Sequence, residues 1–358
     1  MSIVSAQPAA AAPARDARHP APAAPTIFDV ARQAGVSKST VSKVLTGSPH
    51  VNSATRQRVL EAIRQLNYHP NVAARRFKSR VSHLIGFISP NIGEPTTSPA
   101  FFTAFMIGAG RVAGPRQYDI VWLVSVSSHA PQPDDYAKIF LRREVDGLLV
   151  TNTPSHDPRV EALKATGCPF VIVGRYDDPE VCTVDVDNVA VGYLATSHLL
   201  ERGHRRIGLL NGQPDLPFCR DRFQGYAQAL RERSLGLNEA LVTWQRFTAA
   251  EGQAAMERLL ALPEPPTAII VTDPALRAGC LRALGARRLR LPDDLALVAV
   301  EDFEPQGETI SFTSVVQPTV DLAACATERL LALIAGERPA EMHCLLPPRL
   351  IAGQSTTS

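Results

Sequence analysis

The stretch TIFDVARQAGVSKSTVSKVL, residues 26–45, decides the architecture of the N-terminal part of this chain. Apolar side chains recur at helical spacing on both sides of Gly35, so the pattern predicts two short helices joined by a tight turn. Thr26 and Asp29 have the spacing of a capping box at the start of the first helix, and Ser37 can cap the second. Two helices and a glycine-containing turn in so short a stretch are typical of a helix-turn-helix.

The second predicted helix presents a polar face at its N-terminal end. When such a motif binds DNA, the start of this helix meets base edges in the major groove. Lysine can donate to guanine, serine can exchange hydrogen bonds with several bases, and threonine or a helix-start amide can hold phosphate. The candidate DNA contacts here are Ser37, Lys38, Ser39, Thr40, Ser42 and Lys43. The alternative interpretation is the ordinary surface of a three-helix bundle.

Positive charge is concentrated around this motif. Residues 26–80 contain ten Lys or Arg and only two acids, whereas the whole chain has a net charge of +2. The chain after residue 80 is therefore acidic overall. A basic module joined to an acidic body is the pattern of a nucleic-acid reader with a second function. A basic surface that serves only solubility is the alternative.

Composition and periodicity divide the rest of the chain into regions. Residues 1–25 are rich in Ala and Pro and poor in large apolar side chains, which predicts a disordered tail. Asn52 can cap a third helix that ends before Pro70, which completes an all-α domain over residues 26–70. Beyond residue 80, short β-rich runs alternate with helical stretches and predict α/β lobes with parallel sheets. A body of this length is too large for one sheet, so two lobes are expected.

The alternation in the body predicts seven strands and seven helices. The predicted strands are Leu84–Ile88, Ile120–Val124, Gly147–Thr151, Phe170–Val173, Ile207–Asn211, Ala268–Thr272 and Leu297–Val300. The predicted helices are 101–113, 134–143, 157–166, 188–202, 222–234, 249–262 and 275–287.

The N-terminal motif resembles the lactose-repressor (LacI) family of regulators. The matching string continues through VLTGSPHVNSATRQRVLEAIRQLNYHPNVAARRFKSR into HLIGFISPN, and the resemblance covers roughly residues 26–355. It implies that Lys38 and Ser39 hold the positions that choose the operator sequence. Lys43 stands where the family usually has Arg, which keeps the charge but loses bidentate geometry.

The segment Asn71–Ser79 matches the family's hinge helix, and a hinge is expected over residues 71–80. In family members this helix orders on the operator and inserts an apolar side chain, usually Leu, into the minor groove. Phe77 stands at that position, and an aromatic ring can also unstack a base step. The alternative is that Phe77 rests on the body. Asn52, Asn71 and Ala74 complete the set of candidate DNA contacts.

The body, residues 81–358, resembles the periplasmic-binding-protein type I fold, in which two α/β lobes joined by three crossings enclose a cleft. The resemblance implies a first lobe of residues 81–187 and 317–338 and a second lobe of residues 188–316 and 339–355. Parallel α/β sheets bind ligands at the carboxyl ends of their strands. The candidate ligand contacts chosen in this way are Phe102, Arg175, Asp187, Phe218, Arg222, Asp273 and Glu301.

Arg222 is the leading ligand candidate, because it and Gly225 match the family's R-x-x-G, where the principal ligand arginine lies. A surface salt bridge is the alternative for Arg222, and locking of the lobes is the alternative for Arg175, Asp187 and Glu301. Charged groups interspersed with aromatic rings suit a polar, ring-shaped ligand such as a sugar. The stretches VDVDN and RDRFQGY look most like regulators of α-glucoside use.

Several function classes lack their signatures in this sequence. It contains no G-x-S-x-G, P-loop or H-E-x-x-H motif, and its six cysteines form neither a C-x-x-C pair nor a zinc-ligand pattern. We therefore expect no enzymatic activity, no cofactor and no metal. No apolar run has the length of a membrane span, and the N-terminus lacks the apolar core of a signal peptide, which predicts a cytoplasmic protein.

The sequence thus predicts a transcriptional regulator, a repressor, whose affinity for double-stranded operator DNA is controlled by a small ligand, which the resemblance implies is a sugar. Family members act as homodimers or pairs of dimers, so a pseudo-palindromic operator is expected. The C-terminus shows no leucine heptad, which favours a dimer. A sugar-binding protein of a transport system shares the second fold and is the alternative function.

Overall fold

The computed structural model describes residues 25–45, 48–68, 81–88, 99–123, 134–151, 153–301 and 311–357. The chain divides into two units, residues 1–78 and 79–358. The expected hinge over residues 71–80 and all but Pro25 of the expected tail lie outside the described residues. Within the described ranges, no helix has both the length and the apolar character that a bilayer crossing demands.

The described part of the first unit is a set of three short helices. They are α1 (Ile27–Ala34), α2 (Lys38–Leu45) and α3 (Ser53–Gln65). The Asp29 carboxylate accepts hydrogen bonds from the Thr26 amide at 2.9 Å and the Thr26 hydroxyl at 2.7 Å, so α1 begins at the predicted cap. Gly35 adopts a left-handed backbone with φ 65°, which ends α1 and turns the chain toward α2.

The core of the first unit takes one fully buried valine from each helix. These are Val30 of α1, Val41 of α2 and Val59 of α3. Helices of this length are marginal on their own in water, because the cost of nucleation is spread over few hydrogen bonds. Packing of the three apolar faces therefore stabilises the motif and fixes the direction of α2.

The second unit is built on two six-stranded sheets. Its elements up to the first crossing between sheets are β1 (Leu84–Ile88), α4 (Pro99–Ala113), β2 (Asp119–Leu123), α5 (Asp134–Leu141), β3 (Gly147–Thr151), α6 (Pro158–Thr166), β4 (Phe170–Val173) and β5 (Thr183–Val186). The elements that follow are α7 (Asn188–Glu201), β6 (Ile207–Asn211), α8 (Pro217–Glu232), β7 (Val242–Trp244), α9 (Ala249–Leu260), β8 (Ala268–Val271), α10 (Pro274–Ala286), β9 (Ala296–Glu301), β10 (Thr313–Val316), α11 (Thr319–Ile334), β11 (His343–Leu346) and β12 (Arg349–Ile351).

The first sheet has the strand order β11-β5-β4-β3-β1-β2, and all its pairs are parallel. Ile85 of β1 pairs with Ile120 of β2 on one side and with Gly147 of β3 on the other. Every residue of β3, β4 and β5 is buried. This is expected of a parallel sheet, because the crossover helices cover both of its faces.

The second sheet has the strand order β12-β10-β9-β8-β6-β7. Its pairs are parallel except that β12 runs antiparallel to β10, with Ser314 opposite Ile351. The carboxyl ends of its parallel strands therefore lie along one edge, as they do in the first sheet. Each sheet forms the centre of one lobe.

The chain crosses between the lobes three times, after β5, after β10 and after β11. The crossings lie at Asp187–Asn188, at Gln317–Pro318 and at Pro347–Pro348. The assignment of residues 339–346 to the second lobe is wrong, because His343 of β11 pairs with Thr183 of β5 in the first sheet. The physical reason is that α11 packs on the first sheet, so the shortest return places the next strand at the free edge of β5.

Candidate ligand cleft and nucleic-acid interface

The polar face of α2 is directed to solvent as the sequence predicts. Of the six predicted contacts, Ser37, Lys38, Ser39 and Lys43 are exposed, and Thr40 and Ser42 are half-buried. The Ser37 hydroxyl accepts a hydrogen bond from the Thr40 amide at 3.2 Å, so Ser37 is also the cap of α2. The buried face of the same helix, with Val41 and Val44, holds this polar face outward.

Lys38 lies over an aromatic ring of α1. Its ammonium is 4.8 Å from the centre of the Phe28 ring, and Phe28 is 62% exposed. A cation–π contact at an exposed site contributes about 0.5–1 kcal/mol, which restricts the rotamers of Lys38. The sequence analysis did not select Phe28. The sequence does place an aromatic residue on the solvent side of a short amphipathic helix, and this pattern could have identified Phe28.

The remaining predicted DNA contacts divide into a structural residue and residues that are not described. Asn52 Oδ1 accepts a hydrogen bond from the Thr55 amide at 2.8 Å, which makes Asn52 the cap of α3. Asn71, Ala74 and Phe77 lie outside the described residues.

A cavity of about 110 Å³ lies between the lobes of the second unit. Its walls are the carboxyl ends of β3, β4 and β5 from the first lobe and the start of α8 with the ends of β8 and β9 from the second. The lining includes Phe101, Thr151, Thr153, Arg175, Asp185, Asn188, Phe218, Arg222, Phe247, Thr272, Asp273 and Gln317. The ligand position expected for parallel α/β sheets thus coincides with a cavity that has both aromatic and polar walls.

Arg222 of α8 is the centre of the polar wall and is only 5% exposed. Its Nε donates to Asn188 Oδ1 at 3.0 Å, Nη1 to the Thr272 carbonyl at 2.8 Å, and Nη2 to Gln317 Oε1 at 3.0 Å. The Phe218 ring centre lies 5.0 Å from the guanidinium carbon. Arg222 is therefore a buried group in a hydrogen-bond network and not a member of a surface ion pair.

Two glycines allow α7 and α8 to approach until their backbones touch. A Cβ on Gly192 would lie 1.9 Å from the Arg222 carbonyl oxygen, and a Cβ on Gly225 would lie 2.0 Å from the Val189 carbonyl oxygen. Neither distance is compatible with a side chain unless a helix moves. The glycine of the R-x-x-G pattern thus has a physical reason here, because it sets the distance between Arg222 and Asn188.

Arg175 follows β4 in the first lobe and reaches Asp221 of α8 in the second. Its Nη1 lies 3.1 Å from Asp221 Oδ1 and 3.3 Å from Oδ2, and its Nε donates to Asp177 at 3.0 Å. The hydrogen bond with Asp177 and the charge of Asp221 raise the pKa of the Arg175 guanidinium. This geometry agrees with the interpretation that Arg175 locks the lobes, and Arg175 also lines the cavity.

Asp185 of β5 is a buried carboxyl group on the cavity wall that the sequence analysis did not select. It is 7% exposed, and its Oδ1 accepts hydrogen bonds from the Val186 amide at 2.8 Å and from Asn188 Nδ2 at 3.2 Å. Burial raises the pKa of Asp185 to about 7; the Val186 amide opposes this rise, and Asp221 adds to it. The signal in the sequence was an acidic residue inside an otherwise apolar strand, VDV.

Thr153 is a second polar group that the sequence analysis missed. It lies two residues after β3, lines the cavity and is 5% exposed. Its hydroxyl has no hydrogen-bond partner among the described residues. A buried hydroxyl without a partner costs about 1–3 kcal/mol, so such groups are expected to meet a ligand or water.

Phe102 does not line the cavity, and the neighbouring Phe101 does. The ring of Phe102 packs against Phe87 at 6.0 Å and Trp122 at 4.6 Å between ring centres. The lining residue is therefore the neighbour of the predicted one, because consecutive side chains of a helix point in different directions. The sequence before α4 has no apolar periodicity that would indicate the phase of the helix.

The other predicted ligand residues have different positions. Phe218 and Asp273 line the cavity, and Asp273 also caps α10 by accepting a hydrogen bond from the Ala275 amide at 2.7 Å. Asp187 caps α7 through the Ala190 amide at 2.9 Å and lines a neighbouring cavity instead. Glu301 is the last residue of β9, and its side chain lies outside the described residues.

Comparison with known proteins connects both units to regulators. Residues 26–71 match the family described as bacterial regulatory proteins, lacI family, and residues 196–356 match the family described as periplasmic binding protein-like domain. The chain is 33% identical to the HTH-type transcriptional regulator AglR of Rhizobium meliloti (strain 1021) over 304 residues, which are 84% of this chain and 85% of AglR.

Solved structures share the fold over most of the chain. The transcriptional regulator CelR in complex with cellobiose is 30% identical with a TM-score of 0.70, over 92% of this chain and 99% of CelR. The lac repressor dimer bound to operator and the anti-inducer ONPF has a TM-score of 0.80 over 93% of this chain and 99% of that chain. Because its identity is 23%, the second likeness shows the fold alone.

Proposed function

The chain belongs to the LacI family of bacterial regulatory proteins and is a helix-turn-helix transcriptional regulator, and from this premise we propose that it is a repressor controlled by a sugar. In this proposal residues 26–70 bind DNA, residues 71–80 form the hinge, and residues 81–358 bind the ligand and a second copy of the chain. The protein acts in the cytoplasm, without cofactor or enzymatic activity.

The observation that carries the ligand proposal is the network of Arg222. This buried guanidinium joins Asn188 at the first crossing to Gln317 at the second, inside a cavity with aromatic walls. A ligand that exchanges hydrogen bonds with this network stabilises one arrangement of the lobes over another. An effector changes DNA affinity only through such a difference in binding between two states.

A sugar fits the mixed character of the cavity walls. Hydroxyl groups pair with guanidinium, amide and threonine side chains, and the apolar face of a sugar ring can lie on Phe101, Phe218 or Phe247. AglR and the cellobiose complex of CelR are among the relatives that resemble this chain. Cellobiose is a β-glucoside and supports only the broader class of a glucose disaccharide. We propose an α-glucoside because VDVDN and RDRFQGY resemble regulators of α-glucoside use.

The DNA contacts are assigned from the exposed face of α2. Lys38 and Ser39 choose the operator bases, Lys43 makes a further base contact, and Thr40 holds phosphate. Ser37 and Ser42 exchange hydrogen bonds with the DNA. Asn52, Asn71, Ala74 and Phe77 complete the contacts as proposed from the sequence. A homodimer would present two such helices to the half-sites of a pseudo-palindromic operator.

A gel-shift titration of the full chain against its own upstream region, with and without maltose, trehalose and sucrose, tests the proposal. We expect retardation of the DNA that one of these sugars changes. Arg222→Gln should retain retardation and lose the response to the sugar. Arg231→Gln, an exposed arginine on the same helix α8, is the control and should keep both. Absence of retardation at low salt, where phosphate contacts are strongest, would contradict the proposed DNA contacts and repressor action.

A further inference from the structure

Asp185 uses its two carboxyl oxygens unequally. Oδ1 accepts both hydrogen bonds that reach this side chain within the described residues, from the Val186 amide and from Asn188 Nδ2. No described group donates to Oδ2, although Asp185 is 7% exposed and lines the cavity. A buried acceptor with a fixed inner oxygen and an unused outer oxygen is suited to a donor that arrives with the ligand.

The same lobe supplies the buried hydroxyl of Thr153, which has no hydrogen-bond partner among the described residues. Thr153 follows β3 and Asp185 lies in β5, and the strand between them, β4, pairs with both. Both groups belong to the carboxyl end of the first sheet and line the cavity opposite α8. The first lobe therefore presents an acceptor and a hydroxyl to the ligand, whereas Arg222 presents donors from the second lobe.

The charges around the cavity disfavour an anionic ligand. Arg175 pairs with Asp221 across the cleft, and the other charged lining groups that are described are Arg222, Asp185 and Asp273. Above a pH of about 7, where Asp185 is ionised, the charged lining groups balance and the cavity has no excess of positive charge. A phosphate group would have to approach Asp185 and Asp273, and like charges at close range repel each other in a partly buried site.

We propose that Asp185 is the first-lobe specificity residue for the effector, and that its Oδ2 accepts a hydrogen bond from a hydroxyl of a neutral, unphosphorylated saccharide. The inference rests on the proposed sugar-controlled function and narrows its ligand class. The saccharide then spans Asp185 and Thr153 of the first lobe and Arg222 of the second. Asp185 also positions Asn188, whose Oδ1 accepts from Arg222, so the two walls are connected before the ligand arrives.

A proton balance follows from this contact. A hydroxyl that donates to Oδ2 stabilises the ionised carboxyl, while the buried group of the free protein holds its proton up to a pH near 7. We therefore expect binding below that pH to release a proton, and the affinity for the sugar to rise as the pH rises to about 7 and then to level off. The charged groups that face Asp185 are Arg222 and Asp221 of α8 and Arg175 after β4, and Arg222 and Arg175 carry their charge throughout this range.

Titration calorimetry of the full chain with maltose, trehalose and sucrose, each at pH 6.5 in two buffers of different ionisation enthalpy, tests the proposal. Asp185→Asn retains an oxygen for the Val186 amide and Asn188 and replaces only the outer oxygen. We expect this variant to bind the sugar about tenfold more weakly or worse at pH 7.5 and to release no proton. Thr153→Val should weaken binding less and leave proton release intact. Glu180→Gln, an exposed carboxylate before β5, is the matched control and should behave as the unmodified protein.

The outcomes separate this inference from the proposed function. If the unmodified protein binds a sugar and Asp185→Asn binds it equally well with the same proton release, the role of Asp185 is overturned and the sugar-controlled function stands. Tighter binding of trehalose 6-phosphate than of trehalose would overturn the neutral ligand class. If none of the sugars binds the unmodified protein while it still retards DNA, both the saccharide proposal and this inference are overturned.

Discussion

Arg175 Nη1 and Asp221 Oδ1 lie 3.1 Å apart and form an ion pair between the two lobes of the second unit. The Arg175 side chain is 49% exposed, and the Asp221 side chain is 12% exposed. The pair therefore lies at the rim of the cavity, where solvent screens it and a small free energy is expected. It closes the cleft on the side of Asp177, which Arg175 also contacts.

Loss of this ion pair should shift the lobes toward a more open arrangement. Asp221→Asn should make closure of the lobes less favourable by about 0.5–1 kcal/mol. The affinity for the sugar should then fall by a factor of about two to five. Small-angle scattering without ligand and calorimetry with ligand measure the two effects. Asp177→Asn is the control, because it removes a partner of Arg175 within the same lobe. An equal shift in both variants would contradict a specific role of the pair between lobes.

A side chain at Gly225 should disturb the site through the helix pair α7 and α8. The Cβ of Gly225→Ala would lie 2.0 Å from the Val189 carbonyl oxygen, so the helices must separate, at a cost of about 3 kcal/mol. We expect a lower unfolding midpoint in denaturant and weaker sugar binding. Gly285→Ala of α10 has open space around its Cβ and should be neutral or stabilising by up to about 1 kcal/mol. A Gly225→Ala variant as stable as this control would refute the close approach of the helices.

Removal of the Asp185 charge should stabilise the free protein at alkaline pH. Burial raises the pKa of Asp185 from the ordinary value of 3.8 to about 7, so the folded state binds the proton more tightly than the unfolded state. Stability from this group is therefore present at low pH and is lost as the pH rises from about 4 through 7. In urea unfolding at pH 8, the free energy of unfolding of Asp185→Asn should exceed that of the unmodified protein. At pH 5 this difference should be smaller, by on the order of 2 kcal/mol.

The variant must be compared with the unmodified protein because His198 changes stability with pH in the direction opposite to Asp185. Burial, with a smaller contribution from Arg202, lowers the pKa of His198, so its contribution to stability is lost as the pH falls below about 6.5. This contribution is common to both proteins and cancels in the difference. A difference that does not change between pH 5 and pH 8 would mean that the Asp185 carboxyl is not perturbed by burial.

Lys38 should determine base preference rather than general affinity for DNA. Lys38→Ala should reduce the preference for the operator over single-base variants of it by about tenfold to a hundredfold at the contacted position. If Lys38 contacted only phosphate, its loss would weaken binding to all sequences alike. The slope of log affinity against log salt concentration would then become shallower by about one. Quantitative footprinting at two salt concentrations distinguishes these results. Phe28→Leu removes the ring beneath the ammonium and, as a milder change, should lower preference only slightly.

Much of the fold follows from the sequence pattern, because buried parallel strands have a strong signal. The predicted runs Leu84–Ile88, Gly147–Thr151, Phe170–Val173 and Ile207–Asn211 have the observed bounds of β1, β3, β4 and β6. The helices that begin with a capping residue were also predicted closely. These elements are specified by local apolar runs and caps, which require no knowledge of the partner strands.

Elements that depend on distant partners were not predicted. The short edge strand β7 has three residues and only half-buried or exposed positions, so it has almost no apolar signal. Strand β11 alternates between exposed and half-buried residues, and the sequence pattern does not show which sheet it joins. Helix α8 begins at Pro217 rather than at residue 222. Proline is favoured at the first position of a helix, so it marks the start of α8.

Within the candidate site, the sequence identified charged residues at strand ends better than buried ones inside strands. Phe218 and Arg222 line the cavity from α8, the helix that follows β6, and Arg222 was found through the R-x-x-G resemblance. Asp185 was missed because it lies inside a strand, where a carboxyl group is unfavourable unless the fold gives it partners. Those partners, Val186 and Asn188, are near in sequence, but their geometry is set by the turn into α7.

The three crossings differ in what holds them. Arg222 is hydrogen-bonded to Asn188 of the first and Gln317 of the second, whereas the third is the dipeptide Pro347–Pro348, whose φ angles are fixed by the rings. The residue at the centre of the cleft is therefore itself part of the joint. A substitution that adapts the Arg222 network to another ligand therefore also alters the contacts that hold two of the three crossings. Under the proposed function, ligand preference and the balance between lobe arrangements are coupled at this one side chain.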